Sequence, residues 1–280
     1  MKKPIVLFTL ATICAGAALD GAVVISEDFS TNKNGFTVAD GTVIYSTYSR
    51  WGATGVNDPG QTITATTSAP SNAFTPTSTH ALFYDDNTAS GAANLRLKLE
   101  NNTGGAVDPF TDDPLTISFD YYNVANAQTM FLFVGDSSGL NKLGLELFRP
   151  AGTVGQVYNG ATILTATDGG NNWLNKNTWY RYILTIDNQL DTYDLSIFEA
   201  GNSTARYDYS GLNIQPAFGT DSDLGTITQI ELQPFGNASG TGHEAYFDNL
   251  EITQVPEPAT VALYAGFLAL GLVMYRRHRF

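Results

Sequence analysis

Acid–base cleavage of a glycosidic bond needs two carboxylates, about 5 Å apart in retaining enzymes. A regular strand offers such a pair on one face only at even spacing. The most suggestive acidic run, Asp248-Asn249-Leu250-Glu251, has odd spacing, so its two carboxylates are expected on opposite faces of a strand. The histidines are His80, His243 and His278, far apart in the chain, and His243 reads as a loop residue. No Ser-His-Asp order accompanies them. A glycine-rich phosphate loop ahead of a helix is absent as well. These patterns name no catalytic residue, and the chain is expected not to be an enzyme.

Oxygen ligands and flat rings are what remain. Acidic loops occur at Asp85-Asp86-Asn87, at Asp108 with Asp112-Asp113, and at Asp221 with Asp223. Ca²⁺ takes six to eight oxygens from carboxylates and carbonyls, so calcium is the cofactor this composition favours. Sugar rings stack on exposed aromatic surfaces. Tyr45, Tyr48 and Trp51 cluster before a glycine-rich loop and Trp173 lies in another, which makes these four the candidate carbohydrate-binding residues. Asn101, Asn202 and Asn237 each begin an N-x-S/T triplet.

Charge narrows the partners. The formal net charge of the 280-residue chain is −13. Setting aside Lys2, Lys3, Arg276, Arg277, Arg279 and Glu257 leaves 9 basic and 26 acidic residues in 18–256, a net charge of −17. Such a body repels phosphates, which argues against nucleic-acid binding. The single cysteine, Cys14, lies in the hydrophobic start, so the body has neither disulfides nor a thiol nucleophile.

The elements that would position these groups are strands. Between 20 and 254 no stripe of apolar residues recurs at helical spacing. Short alternating or apolar runs recur instead, at Thr42–Tyr48, His80–Tyr84, Ala93–Glu100, Leu115–Tyr122, Thr129–Val134, Lys142–Arg149, Thr162–Thr167, Trp179–Asp187, Asp191–Glu199, Thr228–Pro234 and Glu244–Thr253. Clusters of Gly, Asn and Asp separate them. Many short strands between turn signals imply an all-β sandwich or jelly roll, taken here as one domain over 23–254.

One hairpin is sharper than the rest. Asn177 to Asp187 alternates from Trp179, Asn188-Gln189-Leu190-Asp191 turns, and Thr192 to Phe198 returns with Tyr193, Leu195 and Ile197 on one face. This resembles the hairpin of concanavalin-A-like, laminin-G-like jelly rolls. Ser26-Glu27-Asp28-Phe29 and Ala245 to Ile252 resemble the first and last strands of such domains. The resemblance implies that these terminal strands pair. It also implies a structural Ca²⁺ tying them together, with Asp248 and either Glu27 or Asp28 as ligands. The E-x-D-x-E and E-x-D-x-x-E strands of the related glucanases do not occur in this chain.

The two ends carry separate signals. Met1-Lys2-Lys3, the apolar run Ile5 to Ala18 and the small residues Ala15-Gly16-Ala17 read as a signal peptide over 1–22. At the other end Val255-Pro256-Glu257-Pro258 precedes the uncharged stretch 259–275, expected to be a transmembrane helix. Arg276-Arg277-His278-Arg279-Phe280 follows, a basic cluster that would stay on the cytoplasmic side. Pro256, Glu257 and Pro258, the apolar stretch and Arg276, Arg277 and Arg279 together resemble the PEP-CTERM sorting tail of Gram-negative bacteria. That resemblance implies an exosortase-like processing partner and delivery to the cell envelope, cell surface or extracellular matrix. The expectation is a non-enzymatic exported surface protein. The alternatives are a carbohydrate-binding module for exopolysaccharide, and a diverged glycan hydrolase or lyase.

Overall fold

The structure, a computed structural model, describes residues 22–29, 43–44, 50–54, 61–76, 81–86, 94–98, 114–124, 129–135, 142–148, 155–160, 162–166, 174–214, 227, 229–235, 243–254 and 266. Its strands in chain order are β1 (Ala22–Glu27), β2 (Val43–Ile44), β3 (Arg50–Thr54), β4 (Gln61–Thr66), β5 (Ala81–Asp86), β6 (Asn94–Lys98), β7 (Leu115–Asn123) and β8 (Thr129–Gly135). There follow β9 (Lys142–Phe148), β10 (Gly155–Asn159), β11 (Thr162–Ala166), β12 (Trp179–Asp187), β13 (Thr192–Glu199), β14 (Tyr207–Asn213), β15 (Gln229–Phe235) and β16 (His243–Gln254). Among the described residues the protein is all-β, and no helix is long and apolar enough to cross a membrane. The expected signal peptide, Ala22 apart, and the expected tail over 255–280, Gly266 apart, lie outside the described residues.

Two sheets enclose the core. One runs in the order β14-β13-β12-β7-β16-β5-β4, with β1 also paired to β16. The other runs β2-β3-β6-β15-β8-β9, and β10-β11 form a small ribbon. Neighbouring strands are antiparallel. Alternation decides the inward faces. In β7 Leu115, Ile117, Phe119 and Tyr121 face the core, and in β12 Tyr180, Tyr182, Leu184 and Ile186 do so. Leu132, Val134, Leu143, Leu145, Leu147 and Ile230 of the second sheet join the same cluster. Each such side chain contributes about 1.5–3 kcal/mol through burial.

Aromatic rings fill the centre. Phe119 stacks on Tyr182 at 5.0 Å and on Phe247 at 5.0 Å. Tyr182 Oη donates across the sandwich to the Leu147 carbonyl at 2.6 Å, which satisfies the one polar atom its burial would otherwise strand. The expected hairpin is present, with Tyr182 opposite Ile197 and Leu184 opposite Leu195. Tyr193, Leu195 and Ile197 face inward as the sequence implied. At its turn the Asp187 carboxylate accepts from the Gln189 and Leu190 amides.

The terminal strands pair, as expected: β1 lies along the second half of β16, Ser26 opposite Glu251 and Glu27 opposite Leu250. β5 lies along the first half of the same edge, Leu82 opposite Phe247. Between the end of β1 and the start of β5 the edge of β16 is unpaired, and there its register shifts. Asn249 sits at that bulge in the left-handed region, φ 50°, a conformation Asn tolerates better than most residues.

Candidate functional site

The bulge changes which residues meet. Asp248 is opposite Asp120, and Glu251, three residues on, is opposite Ser118. Phe247, Leu250 and Ile252 face the core, so the extra residue at Asn249 leaves Asp248 and Glu251 both on the outer face. Odd spacing had placed them on opposite faces; the bulge overturns that expectation because it adds one residue to the count.

Asp120 should by alternation be a solvent-facing position of β7, yet it is 0% exposed. Residues 67–76, which follow β4, cross the outer face of the sheet and cover it. Pro70 accepts from the Trp179 indole at 3.1 Å, which fixes one point of this strap. Asn72, 4% exposed, donates through Nδ2 to Asp120 Oδ2 at 2.8 Å and lies 3.4 Å from Asp248 Oδ2. Its own Oδ1 accepts from the Phe74 amide at 3.0 Å, closing an Asx turn.

Asp120 is the hub. Arg181 Nε donates to Oδ1 at 2.7 Å and Nη2 to Oδ2 at 2.9 Å, a bidentate pair. Asn249 Nδ2 donates to Oδ2 at 2.8 Å and lies 2.7 Å from Thr75 Oγ1. The Phe74 ring covers the guanidinium at 4.6 Å. Four donor contacts therefore converge on one carboxylate, and the Arg181 charge is matched by Asp120. Asp248 Oδ1 accepts from the Asn249 amide at 2.8 Å, so this second carboxylate, 1% exposed, holds the bulge.

A pocket of about 300 Å³ opens beside the hub. Ser26, Glu251 and Ser118, in register across β1, β16 and β7, form its floor. Asp28, Thr75, Arg181 and Asn249 form its walls. Two of the three guanidinium nitrogens of Arg181 are held by Asp120.

On the other side of the strap an aromatic row crosses four strands. Phe83, Tyr246, Tyr122 and Trp179 are in register, with centroid separations of 4.7, 5.9 and 5.3 Å. Their planes are inclined by 32°, 73° and 53°, so the rings pack on one another and present no flat platform.

The expected ligands lie at the junction of β1 and β16. Asp28 is exposed and lines the pocket, Glu27 is opposite Leu250, and Asp248 is turned into the strap. Among the described residues no three His, Cys, Asp or Glu side chains come together as a metal site. Trp51 stands in β3 opposite Leu97, whereas Tyr45, Tyr48 and Trp173 lie outside the described residues. His243 begins β16 opposite Asp86 and is not a loop residue. The sorting residues Pro256, Glu257, Pro258, Arg276, Arg277 and Arg279 lie outside the described residues.

Two further carboxylates escaped notice in the sequence. Glu146 and Glu231 are 0% and 1% exposed, on the face of the second sheet turned away from the core. Glu231 is opposite Phe133, and Glu146 is opposite Phe131 on the far side of the same strand. Two strand spacings and a two-residue offset put their Cα atoms about 12 Å apart.

No protein-family model matches the chain, and no curated protein matches it. Solved structures do. A sialidase aligns with a TM-score of 0.51 at 10% identity over 84% of this chain, which spans about a fifth (19%) of the sialidase chain. A cellulose induced protein, Cip1, aligns at 0.46 and 12% over 82% of this chain and 96% of its own. The catalytic domain of a glycoside hydrolase family 131 protein from Coprinopsis cinerea aligns at 0.44 and 16%, over 72% and 85%. The sialidase match shows a shared β-sandwich fold and nothing finer.

Proposed function

We propose that this chain is an exported, non-enzymatic protein of the cell surface or extracellular matrix, delivered by an exosortase-type system acting on its tail. The observation that carries this reading is the order of features at the C-terminus. Pro256-Glu257-Pro258 abuts an uncharged apolar stretch that ends on Arg276, Arg277 and Arg279. The prolines stop a helix from running back into β16, and the arginines favour the cytoplasmic side. The outer-face network supports a binding or scaffolding body. Asp120, the hub of the strap, is met by four donor contacts that hold it in place.

The experiment replaces Pro256, Glu257 and Pro258 together by alanine and fractionates the cells. The variant is expected to accumulate unprocessed in the membrane. Unchanged processing and location would leave a plain membrane anchor in place of exosortase sorting. A second reading, a glycan hydrolase or lyase, rests on Glu146 and Glu231. Release of reducing ends by the wild type, lost in Glu231→Gln, would establish it over the non-enzymatic one.

A further inference from the structure

We infer that the turn between β12 and β13, with Leu190 at its tip, is a membrane-contact surface that seats the body on a zwitterionic lipid bilayer while the tail is inserted. This deepens the proposed function and rests on one part of it, that the apolar stretch 259–275 lies in a membrane. Exosortase processing is not needed. Leu190 is 70% exposed, the one exposed large hydrophobic among the described residues. A lone surface leucine is ordinary and carries nothing by itself. What distinguishes Leu190 is where the sheet puts it.

Register places the turn beside the exit to the tail. Gln254, the last residue of β16, is opposite Ala22 on one side and Leu115 on the other, and Leu115 is opposite Ile186. These four residues form one row at one end of the sheet. β12 and β16 are both antiparallel to β7, so they run in the same direction. The chain therefore leaves β16 toward the tail on the side where β12 leaves the sheet toward its turn. The turn projects past Gln254 by about 7 Å, two residues at 3.3 Å each. It is a held projection. The Asp187 carboxylate accepts from the Gln189 and Leu190 amides, and the Asp191 carbonyl accepts from the Ile214 amide at 2.8 Å.

The tether is short. Val255, Pro256, Glu257 and Pro258 alone separate Gln254 from the apolar stretch, which begins at Ala259. Five residue steps span at most about 17 Å when fully extended. With the strands upright on the bilayer, the tip of the turn then lies within about 10 Å of the hydrocarbon edge, close to the depth of one headgroup layer. A leucine there gains by leaving water. A protein partner would need a far wider apolar patch than one side chain. Charge selects the lipid. Asp187 and Asp191 flank the tip, the turn holds no Lys or Arg, and the body has a net charge of −17. Anionic headgroups repel such a surface, whereas zwitterionic ones do not.

The test uses the full-length chain with its tail, carrying Cys14→Ser and either Gln189→Cys or Asn175→Cys, each labelled with an environment-sensitive fluorophore. Both positions are exposed. Asn175 precedes Trp179, and the seven steps of β12 from Trp179 to Ile186 set the two probes about 23 Å apart or more. The vesicles are phosphatidylcholine with a nitroxide-labelled lipid as quencher. The fluorophore at 189 is expected to shift to the blue and to be quenched, and the one at 175 to do neither. Leu190→Asp, beside the probe at 189, should abolish the blue shift while the chain still floats with the vesicles. Replacing part of the lipid by phosphatidylglycerol at low salt should weaken the quenching at 189. Circular dichroism checks the fold, which the exposed Leu190 side chain does not support. The inference is overturned if the two probes respond alike, if Leu190→Asp keeps the blue shift, or if anionic lipid strengthens the quenching. A chain that fails to float overturns the membrane-inserted tail as well. A chain that floats while the turn stays silent overturns the contact alone.

Discussion

Asp120 shows how one residue can hold a loop to a sheet. A carboxylate with no exposure is tolerable only when its charge and lone pairs are met, and here a bidentate guanidinium and two amides meet them. The arrangement is asymmetric in its consequences. Removing Asp120 leaves the Arg181 charge and two amide donors without their acceptor, so the loss exceeds the net worth of the pair. Asp120→Asn keeps the shape and is expected to destabilise the protein by about 3 kcal/mol, read as a lower urea midpoint at unchanged slope. Arg181 is 30% exposed, so Arg181→Met should do less damage, and the two changes together should fall short of their sum by about 1 kcal/mol. A purely additive pair would show that the two side chains are neighbours without being coupled.

At the scale of elements, the strands that were legible are those with an inward face. Leu115–Tyr122 and Trp179–Asp187 alternate because one side meets the core, and both emerged as β7 and β12 within a residue of the expected limits. β4 and β14 were missed, and the topology explains why: they are the two ends of the eight-stranded sheet. β14, Tyr207–Asn213, buries only Tyr207 and Leu212 of its seven residues, so no run of apolar residues marks it. β10 belongs to a two-stranded ribbon and carries the same handicap. The pocket was illegible for a different reason. Asp120 reads as an outward polar position in an alternating strand, and its burial depends on Asn72, 48 residues away, and Asn249, 129 residues away. Nor does the sequence announce the bulge that puts Asp248 and Glu251 on one face. The strap itself is expected to open as a unit, because it is held by a few side-chain contacts and not by a ladder. Asn72→Ala removes the donor to Asp120 and the acceptor for the Phe74 amide. Hydrogen exchange should then quicken at Phe74 and Thr75 by an order of magnitude or more, while the amides between β12 and β13 stay protected. Equal acceleration at both places would make the strap part of the global core.

On the scale of the whole molecule, Tyr121, Tyr180, Tyr182 and Tyr193 are buried in the core, and that makes stability depend on alkaline pH. Burial raises Tyr121, Tyr182 and Tyr193 above the ordinary 10.0, and Tyr180 to about 12. Desolvation is the leading cause in each, because a buried phenolate would lose its water, and for Tyr180 the nearby Arg206 charge does not make up the loss. For Tyr180 the Asn175 amide at 2.8 Å, which favours the phenolate, only partly offsets it. The folded pKa values are raised, so the stabilisation is fully present below pH 10, where folded and unfolded chains both hold the proton. Above pH 10 the unfolded chain releases protons that the folded chain retains, and stability falls as pH climbs through about 12. Each such tyrosine contributes up to about 1.4 kcal/mol per pH unit, so four give about 5 kcal/mol per unit, comparable to the whole stability of a typical domain. The protein should therefore unfold cooperatively between pH 10 and about 12, with the β-sheet circular dichroism and the tyrosinate absorbance changing together. Of its 14 tyrosines at least these four should ionise in that single step. Tyr182→Phe should make the pH dependence shallower by one proton. At neutral pH it should cost about 1 kcal/mol, since the Leu147 carbonyl loses its donor. Tyrosinate absorbance that rises smoothly from pH 10 while the β signal persists would mean that these hydroxyls reach solvent in the native state, and the aromatic centre described here would be wrong.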